Sequence, residues 1–168
     1  LRRCADRAAQ FAQGRQSPAK YRTEEQILVC LSPFESNEKV IRTAARMAGA
    51  FRCGFTALFV ETKDFQWTPQ ADQERLKANF RLAQQLGASV ETVYGDDVAY
   101  QIAEFARLSG VTKIVLGRSG TPGRTLLHPQ TLTERLIELI PELDIHIIPD
   151  TQTNRRFAAR YRAFHYVP

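Results

Sequence analysis

The sequence predicts an α/β domain built on a five-stranded parallel sheet, strand order 3-2-1-4-5, with helices on both faces. Three observations predict it. Short apolar runs alternate with longer amphipathic stretches from Gln26 to Ile148. The runs Ile27–Leu31 and Ile114–Leu116 are continuously apolar, as expected of strands covered on both faces. The connections are short, and strands joined through helices by right-handed crossovers lie parallel.

Each element has its own signal. Leu1, Cys4, Ala8 and Phe11 recur at helical spacing in a short basic segment, which Gly14, Ser17 and Pro18 break. Residues 1–25 are therefore expected to be a basic helix and linker, and 26–150 the folded domain. Ile27–Leu31 is the first strand. Ser36 is placed to cap a helix whose apolar stripe is Val40, Ile41, Ala44, Ala45, Ala48 and Phe51. Phe55–Val60 is the second strand. A polar stretch with Trp67 and Pro69 leads to a helix through Leu76, Phe80, Ala83 and Leu86, stopped by Gly87. Val90–Tyr94 is a half-polar third strand. A helix follows from about Asp97 through Ile102, Phe105 and Ala106 to Gly110. Lys113–Gly117 is the fourth strand. Thr131-Leu132-Thr133-Glu134 has the pattern of a capping box at the start of a helix with Leu132, Leu136, Ile137 and Ile140. Ile145–Ile148 is the fifth strand.

The net charge of +5 is unevenly spread over the 168 residues. Residues 1–25 hold six Lys/Arg and three acids, and residues 151–168 hold four arginines and no acid, which leaves 26–150 slightly acidic. A nucleic-acid-binding domain concentrates basic charge on a folded face, so no nucleic-acid partner is expected. Three cysteines without CxxC spacing (Cys4, Cys30, Cys53) point to reduced thiols, two of them in or beside apolar runs and so buried. No stretch approaches the length of a bilayer span and no signal peptide is legible, so a cytoplasmic domain is expected. The first residue is not methionine, which suggests a piece of a longer chain.

In such sheets ligands bind beyond the carboxyl ends of the strands where the strand order reverses, here between strands one and four. Two loops meet there. The second, Gly117-Arg118-Ser119-Gly120-Thr121-Pro122-Gly123-Arg124-Thr125, has glycines that let backbone N–H groups approach a ligand and arginines that fork onto phosphate oxygens. It precedes a helix start, a ready anion site. Phosphate binding and a plain surface loop with an ordinary cap are both consistent with it. Neither Walker A nor GxGxxG can be written in it, which excludes a P-loop nucleotidase and a Rossmann dehydrogenase. His128 in this loop is taken as solvated.

The first loop, Ser32-Pro33-Phe34-Glu35-Ser36-Asn37, lacks the acidic pair of a phosphate-receiver domain, and Pro33-Phe34 forbids the glycine-rich SGGxDS loop of pyrophosphatase-type ligases. No motif places His128, His146 or His165 to activate Ser32 or Ser36, so no catalytic residue and no metal site is expected. Ser32 is expected to hydrogen-bond a ligand.

The element order and the second loop resemble the universal stress protein family. Its phosphate motif is G-x-x-G, nine residues, then G-[S/T]; Gly117, Gly120 and Thr131 match it, and Gln130 stands where the last glycine falls. A narrower resemblance runs through Ile27–Cys30, Glu38–Ala48, Val60–Thr62, Arg81–Ala88 and Lys113–Arg118. Those segments are similar to the universal-stress-protein domain of KdpD-type potassium sensor histidine kinases. Leu1–Arg7 resembles the segment that joins it to the preceding domain of such a kinase.

This resemblance implies an adenine-nucleotide α-hydrolase-like fold and a cytoplasmic regulatory role in a two-component system controlling potassium uptake, with no enzyme activity in this fragment. It also implies that 151–168 leads toward the membrane helices of a parent kinase, through which alone the membrane is met. Some members bind cyclic di-AMP through Ser-x-Ser, twenty residues, then Phe-Thr-Ala-x-Tyr; Ser32-x-Phe34 and Phe55-Thr56-Ala57-x-Phe59 keep the spacing, with two hydroxyls lost. The implied nucleotide contacts are Ser32, Phe34, Phe55, Thr56, Ala57 and Phe59, with the Thr56–Ala57 backbone on base or ribose. Gly117, Arg118, Ser119, Gly120, Arg124 and Thr131 would hold phosphates, the ligand being ATP or cyclic di-AMP. Two other readings stay open: a ligand-free interaction scaffold of the same kinase, and a stand-alone ATP-binding universal stress protein. Ile145–Ile148 is apolar enough to pair two copies, or simply to fill the core.

Overall fold

The computed structural model describes residues 25–118 and 130–149. Five strands form one parallel sheet in the order β3-β2-β1-β4-β5, as the sequence predicts: β1 is Ile27–Cys30, β2 Phe55–Glu61, β3 Ser89–Tyr94, β4 Lys113–Gly117 and β5 Asp144–Ile148. The helices are α1 (Asn37–Phe51), α2 (Gln70–Gln85), α3 (Val98–Ser109) and α4 (Leu132–Leu139), with a 3-10 turn at Lys63–Trp67. The basic helix expected over Leu1–Phe11 and the tail 151–168 lie outside the described residues.

Period-two alternation sorts the strand side chains into two cores. Val29, Ala57, Phe59 and Val115 pack with Val40, Ile41 and Ala44 of α1 and with Leu76 and Ala83 of α2. Leu28, Leu58 and Ile114 pack on the opposite face with Ile102, Ala103 and Ala106 of α3 and Leu136 of α4. Burying side chains of this size contributes about 1.5–3 kcal/mol each, and both layers depend on the three central strands. Gly87 at φ 90° and Gly110 at φ 66° end α2 and α3 in a left-handed conformation that a side chain would strain, as their positions predict.

Several expectations are corrected. Ser36 occupies the N-cap position of α1, but its φ and ψ are helical and its side chain makes no capping bond. Phe51, expected in the apolar stripe, is the last residue of α1 and 48% exposed, with the Lys113 ammonium 5.4 Å from its ring centre. Ile137 and Leu86 also face solvent, since each lies off the face its helix turns to the sheet. Cys30 and Cys53 are half-buried rather than buried. The strands β2 and β5 each run one residue further than the apolar signal, to Glu61 and from Asp144.

The thiol of Cys30 itself is desolvated, and burial pushes its pKa up to about 12. The thiolate, not the thiol, attacks electrophiles, so near pH 8 this cysteine should alkylate about a thousandfold more slowly than an ordinary one. Iodoacetamide labelling followed by peptide mass spectrometry checks this; labelling of Cys30 at an ordinary rate would contradict it.

Candidate functional site

Strands β1 and β4 pair over only three residues, Ile27 with Lys113, Leu28 with Ile114 and Val29 with Val115. Beyond Val29 they part. The chain after β1 stays with β2, Cys30 opposite Leu58 and the Leu31 N–H donating to the Leu58 carbonyl at 2.8 Å. The chain after β4 stays with β5, Gly117 opposite Ile148 and the Arg118 N–H donating to the Ile148 carbonyl at 2.9 Å. The result is a mouth at the carboxyl edge of the sheet, at the point where the strand order reverses.

The first turn of α1 lies over this mouth. Val40 packs so closely on Gly117 that a Cβ there would sit 3.2 Å from the valine methyl, and Lys39 Nζ donates to the Pro149 carbonyl at 3.3 Å. The opposite face is set by α4. Its N-cap Thr131 accepts from the Glu134 N–H at 3.2 Å while Glu134 Oε2 accepts from the Thr131 N–H at 2.7 Å, the reciprocal capping box the sequence predicts. Arg135 in the same turn forks onto Asp97, the N-cap of α3, through two bonds of 2.7 Å. This bidentate pair fixes the start of α4 against the start of α3.

The loop after β1 is held by side chains that sequence reasoning did not single out. Asn37 Oδ1 accepts from the Ser32 N–H at 3.1 Å, and its Nδ2 donates to the Cys30 carbonyl at 3.0 Å. Asn79 Nδ2 donates to the Ser32 carbonyl at 2.9 Å, and Arg75 donates to the Pro33 carbonyl at 3.0 Å. Arg75 is held in turn by Asp72 at 2.8 Å and faces Glu35 at 3.6 Å. No motif announces these contacts, because each side chain meets a backbone carbonyl or N–H, two of them from more than forty residues away in sequence.

Ser32 is half-buried, and its hydroxyl has no hydrogen-bond partner among the described residues. Phe34 is 46% exposed, and Arg118 is exposed with its guanidinium unpaired among the described residues. Ser32, Phe34, Gly117, Arg118 and Thr131 thus share the carboxyl edge of the sheet. The strand-two candidates do not gather with them. Phe55 opens β2 opposite Ile27, about 10 Å of strand away from Cys30, and it is buried with Ala57 in the core under α1. Thr56 and Ala57 are paired on both sides, with Leu28 and Val29 and with Ser89 and Val90, so their backbone groups belong to the sheet. Phe59 stands level with the mouth, but its ring packs edge-on against Phe65 at 5.2 Å and Phe80 at 5.9 Å. Ser119, Gly120 and Arg124 lie outside the described residues. Gln130, at the family's glycine position, donates to Glu138 at 2.6 Å.

No family model matches the chain. It is 36% identical over 163 residues to the sensor protein KdpD of Clostridium acetobutylicum, an alignment covering 92% of this chain and 18% of that protein. It is 30% identical over 176 residues to the sensor protein KdpD of Escherichia coli K12, covering 96% and 20%. Among solved structures, a universal stress protein from Burkholderia pseudomallei superposes with a TM-score of 0.55 at 20% identity, over 79% of this chain and 100% of its own. The chain matches one segment of KdpD sensor proteins along nearly its whole length and has the fold of universal stress proteins. A second universal stress protein, crystallised in complex with cAMP, superposes with a TM-score of 0.56 at 17% identity, over 75% of this chain and 97% of its own. The chain spans about a fifth of the length of the curated relatives it matches. No helix among its described residues is long and apolar enough to cross a membrane.

Proposed function

We propose that this domain is a regulatory input domain of a KdpD-type sensor histidine kinase controlling potassium uptake, and that it binds an adenine nucleotide or cyclic di-AMP in the mouth between β1 and β4. The observation that carries the reading is the parting of those two strands beneath the first turn of α1 and beside the capped start of α4. A base would stack on Phe34 with the Ser32 hydroxyl on base or ribose. Phosphates would meet Arg118 and the amino terminus of α4, where helix N–H groups favour an anion. The strand-two residues would serve as the packed floor behind the mouth. The domain would hold and sense rather than react, acting on the cytoplasmic side of the inner membrane within its parent protein. A ligand changes kinase output only to the extent that it binds one signalling state more tightly than the other.

Side-by-side calorimetric titration of the 168-residue chain with ATP and with cyclic di-AMP tests this. Saturable binding of one is expected, weakened about tenfold or more by Arg118→Ala, since a charge-assisted bond to phosphate contributes about 1.5–3 kcal/mol. Saturation should also raise the melting temperature, because a ligand at a hundred times its Kd stabilises by about 2.7 kcal/mol. No heat and no thermal shift with either compound, from folded protein, would sink the nucleotide reading. It would leave the ligand-free scaffold, which the engagement of Gln130 with Glu138 at the family's glycine position favours.

A further inference from the structure

Two polar side chains are buried among the described residues, Asn37 at 2% and Asn79 at 6% exposure, and both end on Ser32. A buried amide is costly unless it is hydrogen-bonded. Here the satisfaction is directed at one residue from two different helices: Asn37 opens α1 and takes the Ser32 N–H, whereas Asn79 lies in α2 and takes the Ser32 carbonyl. Arg75, one turn before Asn79, takes the next carbonyl at Pro33. Asn37 Nδ2 also takes the Cys30 carbonyl, at the point where β1 has already left β4. The backbone of Ser32 is therefore consumed on both sides, and its hydroxyl is left over. Proline at 33 adds stiffness, since its ring fixes φ and brings no N–H that would need a partner.

We infer that Asn37, Asn79 and Arg75 are positioning residues that pre-order the loop 32–36, so that the Ser32 hydroxyl and the Phe34 ring face the mouth before any ligand arrives. The inference rests on the nucleotide reading for its purpose but not for its geometry. A loop ordered in advance loses less conformational entropy on binding, which appears as tighter binding without any added contact. None of the three side chains needs to touch the ligand. Their effect on it passes through the backbone of Ser32 and Pro33.

The experiment compares the full chain with Asn79→Ala, Arg75→Ala and Asn37→Ala by backbone amide exchange and by titration with ATP and cyclic di-AMP. Asn37→Ala leaves two backbone groups unsatisfied and risks misfolding, so Asn79→Ala and Arg75→Ala decide the question. In Asn79→Ala the Ser32 amide is expected to exchange about tenfold faster while the Val29 and Val115 amides keep their protection, the cost of one lost hydrogen bond confined to the loop. The ligand that the parent chain binds should bind about tenfold more weakly, with Arg75→Ala showing a smaller effect of the same kind. Uniform acceleration through the core would show a merely structural role and overturn the inference. Unchanged affinity in Asn79→Ala, with the parent chain binding normally, would overturn it while leaving the nucleotide reading in place. Should the parent chain bind neither compound, the nucleotide reading fails, and the positioning role is judged on Ser32 exchange alone: selective acceleration upholds it, unchanged exchange overturns it.

Discussion

Ile114→Ala is expected to lower the stability of the domain by about 3–4 kcal/mol. Ile114 is the second residue of β4, fully buried, and packs on the face shared with Leu28, Leu58, Ile102 and Leu136. Its neighbours are strand and helix residues fixed from both sides, so the space left by the lost atoms would collapse only in part, and the cavity adds to the lost transfer energy. Single domains are stable by about 5–15 kcal/mol, so the variant should be markedly closer to unfolding. Urea unfolding with an unchanged m-value and a lowered midpoint is the expected result. A loss below about 1 kcal/mol would mean that the two helical layers repack freely around the sheet.

Phe59→Ala should cost about 3–5 kcal/mol, for a different reason. Phe59 is buried on the opposite face, where Phe65 and Phe80 meet it edge-on. Phe65 belongs to the 3-10 turn Lys63–Trp67 and Phe80 to α2, so one ring pins two segments to β2. Removing it takes away the burial of a large side chain and two edge-to-face contacts of about 0.5–1.5 kcal/mol each. The turn should loosen first. Trp67, the only tryptophan of the chain, is 78% exposed at the end of that turn and reports on it by fluorescence. A change in Trp67 emission anisotropy ahead of global unfolding is expected in Phe59→Ala; coincident transitions would contradict the idea that the ring holds the turn.

The fold was legible because its strands are covered on both faces. Burial of that kind writes itself as unbroken apolar runs, and Ile27–Leu31 and Ile114–Leu116 carry the sheet centre on the page. The capping box at Thr131 was equally legible, since its two bonds join residues three apart. The 3-10 turn was not, because Lys63-Asp64-Phe65-Gln66-Trp67 has no period and is anchored by tertiary contacts, Phe65 on the Phe59 ring and Lys63 on Asp96. The site was legible in outline and not in detail. Strand order and loop position point to Ser32, Gly117 and Arg118, but a spacing match cannot tell which side of a strand a residue faces or whether its backbone is already paired. Phe55 opens β2 at the end away from the mouth, and Thr56 and Ala57 have both neighbours already paired. The two asparagines that fix Ser32 were invisible for the reverse reason: their partners are main-chain atoms, which every residue possesses.

The short pairing of β1 with β4 has a mechanical consequence. Elsewhere neighbouring strands match over four, five or six residues, but this central seam has three. Backbone rungs resist the shear and twist of one strand against the next, so the sheet is most compliant along its midline rather than at its edges. On one face α1, which packs against β2, β1 and β4, braces that line. A ligand lodged beyond Val29 and Val115 would touch the half that ends in β3 and the half that ends in β5 at once. A ligand bound there would act as an added rung, stiffening the plate across its shortest pairing.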